Sequence, residues 1–338
     1  MYPLTLHETG MAQLAGLPRV SLAAMFKEAL AVQAAAAEAA ATQEASAQDA
    51  SPAPLAACLP QPAPASLQLY LPALTQGGWP QNVGATPAAA QSYLTNYLDA
   101  IFQVTLAKAG IEPRRALNVA RALARNVGTA AKYSTLAQDT YGVEAPTKQQ
   151  QVDVRAAVEA LANVYLLTTV PGWDAPVRSK ARLRTSPKRY FADPSLPAAL
   201  LGITQDVLLQ DAQLMGLLFE SLVMRDLTVF SQLLPVTSGG ALPAAGPLSY
   251  YRDSRGLEVD AIIELNNGAW AAFEVKLGAP GVPAAVDALT RLRKKVQENP
   301  AARNPQPAFM AVLVGAGDYI QYLKEENIYV IPFACLAP

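Results

Sequence analysis

Apolar and polar residues alternate in two runs between Leu257 and Leu277. Leu257, Val259, Ala261, Ile263 and Leu265 alternate with Glu258, Asp260, Ile262 and Glu264. After Asn266-Asn267-Gly268, Ala269, Ala271, Phe273, Val275 and Leu277 alternate with Trp270, Ala272, Glu274 and Lys276. Strand side chains point to opposite faces with period two, so the pattern predicts a β-hairpin with one apolar face and one charged face. Loop length sets its register. A three-residue loop with Gly268 left-handed pairs Leu265 with Ala269, Asp260 with Glu274 and Glu258 with Lys276. A two-residue Asn267-Gly268 turn would put Asp260 opposite Val275. Directly opposed residues share a face, with Cβ atoms roughly 4.5–5.5 Å apart, and like charges so placed destabilise a sheet. A cation between Asp260 and Glu274 would relieve that repulsion; the alternative is a half-exposed hairpin whose charged face is solvated.

Upstream, the pattern is mostly helical. An apolar helix is expected over roughly Leu17–Leu30. The Ala-rich stretch to Ala50 favours helix, and the prolines between Ser51 and Ser66 predict a linker. Leu67–Leu106 resumes globular character, with Gly77-Gly78-Trp79-Pro80 as a loop and Tyr93, Leu94, Tyr97, Leu98, Ile101 and Phe102 as a core stripe. Leu117, Ala120, Leu123, Ala124 and Val127 form the next stripe. Thr135 with Gln138, and Thr147 with Gln150, have capping-box spacing; Tyr141-Gly142 ends the shorter helix. Three helices followed by an extended segment predict a helix-turn-helix with a wing over 115–190. A helix over 211–234 places Glu220 among leucines. Then come a strand over Leu248–Asp253, the hairpin, a helix over Ala284–Glu298, a strand over Phe309–Val314, a short helical piece over Tyr319–Leu323 and a strand over Ile328–Phe333. That order predicts a three-layer α/β plan, and a multidomain α/β chain overall.

Composition narrows the chemistry. The 338 residues carry a net charge of −1, so any nucleic-acid surface is local. It is concentrated from Arg178 to Arg189, where Arg178, Lys180, Arg182, Arg184, Lys188 and Arg189 are basic, the first four at period two. A strand there would show one basic face, either for DNA or as a wing edge guarded against pairing. One histidine, His7, argues against His-based triads and haem ligation, and two distant cysteines form no zinc spacing. No GxxxxGK[ST] loop is present, so no ATP binding or hydrolysis is expected of this chain. No apolar run reaches the length of a membrane span, and a cytoplasmic chain is expected.

Asp260 followed by Glu274-x-Lys276 resembles the PD-(D/E)xK, restriction-endonuclease-like nuclease core. Further motifs extend the likeness. Pro3-Leu4 with Glu8, Gly77-Gly78-Trp79-Pro80, Arg121 to Asn126 with Tyr133 and Leu136-Ala137, Ser186-Pro187-Lys188 with Tyr190-Phe191 and Asp193, Tyr251-Arg252-Asp253, Glu258-Val259-Asp260 and Glu274-Val275-Lys276 occur in order. They resemble the poorly characterised region that follows the AAA-type ATPase module in many bacterial and archaeal ATPases. The resemblance implies a remnant of the module's tail over 1–30, an Ala/Pro-rich insertion over 31–66, a helical and winged-helix domain over 67–192 and a nuclease-like domain over 200–338, without the ATPase module.

Three functions follow as expectations. The first is a metal-dependent DNA phosphodiesterase, with Asp260, Glu274 and Lys276 catalytic and Mg²⁺ or Mn²⁺ held by Asp260, Glu274 and, as the nuclease likeness implies, the helical Glu220. Tyr251 and Arg252 would contact phosphate. The second is a non-catalytic module binding an unknown protein partner or DNA. The third is a simple DNA-binding regulator.

Overall fold

The computed structural model describes residues 2–10, 16–41, 53–173 and 186–338. In chain order its main elements are β1 (Val20–Ser21), α1 (Leu22–Ala41), β2 (Gln61–Ala65), α2 (Pro87–Ala100), α3 (Pro113–Arg125), α4 (Tyr133–Tyr141), α5 (Lys148–Asn163), β3 (Leu167–Val170) and β4 (Lys188–Phe191). There follow α6 (Ala212–Thr237), β5 (Ser249–Arg252), β6 (Glu258–Glu264), β7 (Trp270–Lys276), α7 (Val282–Gln297), β8 (Phe309–Val314), β9 (Gly317–Leu323), β10 (Ile328–Pro332) and β11 (Leu336–Ala337). The chain is a multidomain α/β protein. Its described residues fall into two units: 2–9, 68–171 and 186–225 in one; 10–67, 172–173 and 226–338 in the other.

The first unit is built around α3, α4 and α5. Each helix is set by local chemistry. Glu112 caps α3 by accepting from the N–H groups of Arg114 and Arg115, and Pro113 sits at the first helical position, where its missing N–H costs nothing. Gly142, at φ +65°, ends α4 in the left-handed conformation. The expected capping box of Thr147 and Gln150 opens α5. The one expected at Thr135 does not form, because α4 already begins at Tyr133, behind Lys132. After α5, β3 pairs antiparallel with β4 from Leu167↔Phe191 to Val170↔Lys188. The turn between α3 and α4 joins the same pairing: Gly128 N–H donates to the Arg189 carbonyl, and Arg189 N–H to that of Thr129. Val119, Ala120, Leu123, Leu136, Val154, Val158 and Leu161 are buried.

The second unit centres on a seven-stranded sheet in the order β2-β9-β10-β8-β7-β6-β5. The pairs β7–β8 and β8–β10 are parallel; the others are antiparallel. One face carries Ile262, Trp270, Ala272, Met310, Val312 and Val330, packed against Ala285, Leu289, Leu292 and Val296 of α7. The other face meets α1, whose Phe26 lies edge-on to Phe309 of β8, as does Phe273 of β7. Helix, sheet and helix make the three layers that the element order predicts.

Three expectations change. The hairpin is not half-exposed: Trp270 and Ala272, on the face read as charged, are buried under α7. Residues 1–66 do not reduce to a remnant and a linker. Within them α1 buries Leu22, Met25, Phe26 and Ala29 at helical spacing, and the Pro-rich stretch supplies β2. Proline cannot donate to a ladder, which confines it to sheet edges, and β2 is an edge strand with Pro62 and Pro64 exposed. Finally, Tyr319–Leu323 belongs to β9, a strand. Asn327, at φ +53°, makes the tight turn that folds β9 back on β10.

Candidate active site

The hairpin register decides which charges meet. Gly268 is left-handed at φ +89°. Its N–H donates to the Leu265 carbonyl at 2.7 Å, and Leu265 N–H donates to Ala269 at 2.7 Å. This is the three-residue loop, and the ladder runs Glu264↔Trp270, Ile263↔Ala271, Ile262↔Ala272 and Ala261↔Phe273. The ladder ends there, β6 shifting its register against β5 between Val259 and Ile262, and Asp260 and Glu274 lie next beyond its last pair. The Lys276 ammonium donates to Glu274 Oε2 at 2.6 Å and lies 3.8 Å from Asp260 Oδ2. Asp260 Oδ2 also accepts from the Val275 N–H at 2.9 Å, which anchors that carboxylate to the neighbouring strand.

Exposure is graded across the cluster: the side chains of Glu274, Asp260 and Lys276 are 5%, 13% and 29% exposed. Burying a carboxylate is costly unless it is paired and hydrogen-bonded. Glu274 meets that condition through Lys276. The cluster lies on the α7 face and includes the C-terminal end of β7, the end of a parallel strand where open α/β sheets bind ligands. Two hard carboxylate oxygen donors suit Mg²⁺ or Mn²⁺. Among the described residues, no group of three or more His, Cys, Asp or Glu that could hold a metal is gathered.

The other predicted site residues are distributed differently. Glu220 accepts from the Tyr190 hydroxyl at 2.6 Å and from the Lys188 ammonium at 3.3 Å, within the first unit; a role as third metal ligand gains no support from that placement. Lys188 and Arg189 are interior, 4% and 8% exposed. Arg189 donates to the Ala131 carbonyl and lies over the Tyr133 ring. Neither offers the free cation that a phosphate contact needs: successive strand residues face opposite ways, and both faces of β4 are covered, Lys188 meeting Glu220 and Arg189 meeting Ala131 and Tyr133. Arg178, Lys180, Arg182 and Arg184 lie outside the described residues. Arg252 is half-exposed and faces Glu258 at 3.6 Å. The Tyr251 ring lies beneath Lys295, which donates to Asp253.

Sequence reasoning passed over two features. Gly281 sits against Lys276, and nothing local marks it. Asp193 and Arg225 form a buried ion pair at 2.7 Å, with side chains 0% and 2% exposed. Asp193 also accepts from the Gly78 N–H and the Ser195 hydroxyl, which explains the Gly77-Gly78 motif. A Cβ at Gly77 would fall 2.4 Å from Asp193 and Ser195 oxygens, and one at Gly78 1.9 Å from the Leu4 carbonyl.

Comparison with known proteins gives two family matches. Residues 67–207 match Domain of unknown function (DUF8612), and residues 215–336 match Domain of unknown function (DUF4143). An uncharacterized protein of Mycobacterium bovis and one of Mycobacterium tuberculosis are each 29% identical over 126 residues. That alignment covers 37% of this chain and 25% of each relative, so the matched part spans a quarter of their length. No solved structure matches.

Proposed function

We propose that the chain is a metal-dependent DNA phosphodiesterase, with a restriction-endonuclease-like second unit carrying the chemistry and a winged-helix first unit binding DNA. The observation that carries this reading is the meeting of Asp260, Glu274 and Lys276 on adjacent strands, with the Lys276 ammonium 2.6 Å from Glu274 and 3.8 Å from Asp260. Asp260 and Glu274 would hold Mg²⁺ or Mn²⁺. When bound, such an ion supplies a water of lowered pKa and neutralises charge on phosphate. Lys276 supplies a cation for charge growing on the phosphoryl oxygens. The Val275 N–H anchors Asp260, Lys276 anchors Glu274, and Gly281 at the start of α7 lies against the Lys276 stem. The winged-helix assignment draws on the order α3, extended turn, α4, α5, β3, β4, with the turn at Gly128 and Thr129 hydrogen-bonded to β4.

A second reading, a non-catalytic module serving an AAA-type ATPase, draws on one observation: Glu220, the expected third ligand, is engaged by Tyr190 and Lys188. Cleavage separates the two. The purified chain is incubated with single- and double-stranded DNA and Mg²⁺ or Mn²⁺. The expected result is metal-dependent cleavage that falls by about a hundredfold or more, the usual worth of an electrostatic catalytic group, in Asp260→Asn and Lys276→Ala. Failure to cleave any DNA or RNA, with no metal bound at millimolar concentration, assigns the chain to the second reading. Activity surviving both substitutions places the chemistry elsewhere.

A further inference from the structure

Gly281 stands at the N-cap of α7 with φ −84° and ψ −14°. That conformation is open to every L-residue, so the backbone does not call for glycine there. Space does. A Cβ at Gly281 would lie 2.9 Å from Lys276 Cδ and 3.0 Å from its Cβ and Cγ, closer than carbon atoms pack. The helix behind Gly281 has little room to retreat, because Ala285, Leu289, Leu292 and Val296 pin it into the core. The missing side chain is therefore the channel in which the Lys276 stem lies. At the end of that stem, the ammonium is 2.6 Å from Glu274 Oε2 and 3.8 Å from Asp260 Oδ2.

We infer that Gly281 is a positioning residue that seats the Lys276 ammonium as the built-in counter-ion of Asp260 and Glu274, and that a divalent cation binds this pair by displacing that ammonium. The inference rests on the metal-site reading above and adds to it an order of events. Two carboxylates gathered on one ammonium, one of them nearly inaccessible to water, need a positive charge to be stable. An ammonium held by a flexible stem supplies it without occupying the site irreversibly. A divalent cation competes for the same oxygens. The ammonium that yields remains tethered two residues from Glu274, within reach of a phosphate brought to the site.

The test is Mn²⁺ titration calorimetry on the full chain, purified metal-free, comparing wild type, Lys276→Met, Lys276→Ala, Gly281→Ala and the Gly281→Ala/Lys276→Ala double variant. Lys276→Met keeps the volume of the stem and removes the charge. It is expected to bind Mn²⁺ about fivefold more tightly than wild type, the worth of a partly exposed ion pair. Lys276→Ala should do the same. Gly281→Ala, which pushes the stem aside, should tighten binding by a smaller factor, and the double variant should bind no more tightly than Lys276→Ala alone. Without metal, Lys276→Met should lower the thermal midpoint, and adding Glu274→Gln should restore it. If wild type binds Mn²⁺ and the Lys276 variants bind equally or more weakly, the ammonium is no competitor; this inference fails while the nuclease reading stands. If the effect of Gly281→Ala persists in the Lys276→Ala background, Gly281 does not act through Lys276. If no form binds Mn²⁺, displacement and the metal-dependent reading fall together.

Discussion

Asp193 is wholly buried, and its carboxylate takes hydrogen bonds from Arg225 at 2.7 Å, Gly78 N–H at 3.0 Å and Ser195 N–H at 2.9 Å. This one side chain ties the Gly77-Gly78 loop to the segment after β4 and to α6. Removing one member of a buried ion pair leaves the other uncompensated, and the cost exceeds what the pair itself contributes. Arg225→Met is expected to destabilise the chain by about 3–5 kcal/mol, measured by urea denaturation. A loss below about 1 kcal/mol, the scale of a surface pair, would mean that the remaining hydrogen bonds carry Asp193 alone. The residues of this network were visible in the sequence as separate motifs, but their joining was not. Arg225 follows Asp193 by 32 positions, and no local periodicity links them. The Asp260–Glu274–Lys276 cluster was more legible, because strand alternation is a local rule that left only the loop length, three residues or two, to the structure. The engagement of Glu220 was not, because its partners Lys188 and Tyr190 lie on β4, 32 and 30 positions before it.

At the scale of elements, the turn from β5 to β6 shows how chemistry outside a strand holds it. The Asp253 carboxylate accepts from the N–H groups of Arg255 and Leu257 and from the Lys295 ammonium of α7. Burial pushes its pKa up, but these donors outweigh burial and hold the carboxyl below its ordinary range. A group with a depressed folded-state pKa contributes stability above its unfolded pKa and loses that contribution as pH falls through the folded value. Wild type should therefore be more stable than Asp253→Asn at neutral pH, and the two should converge in acid below the carboxylate range. The neutral-pH difference is expected to be about 0.5–1 kcal/mol, because Lys295 is nearly half exposed and its ion pair is screened. Denaturation midpoints at both pH values check this; a difference that grows in acid contradicts it. Elements with strong local patterns, such as α5, β7 and β8, were predictable. β2 and β9 were not. The prolines of β2 are tolerated only because it sits at an edge, and β9 is a strand because β10 and β2 pair with it.

For the molecule as a whole, nucleic-acid binding is expected to depend on a local basic run rather than on net charge. Each phosphate neutralised by Lys or Arg adds about 0.9 to the slope of log affinity against log salt on duplex DNA. Replacing Arg178, Lys180, Arg182 and Arg184 by Ser should weaken duplex binding and flatten that slope, as read by fluorescence anisotropy across a salt series. An unchanged affinity and slope would make the run a charged edge only. Among the described residues, no helix is long and apolar enough to cross a membrane. What the sequence determined by itself was local: the hairpin, most helices, the α/β class and the candidates Asp260, Glu274 and Lys276, while the choice between a three- and a two-residue loop fell to the structure. Each follows from side-chain period, capping or turn chemistry within a few residues. The tertiary structure decided what depends on distant partners. It brought α1 and β2 from the N-terminal third into the second unit, turned Lys188 and Arg189 inward, buried the second face of the hairpin under α7 and left at Gly281 the space that Lys276 fills. The physical reason is that burial and pairing are properties of surfaces meeting in space, and a short window of sequence contains only one of the two surfaces.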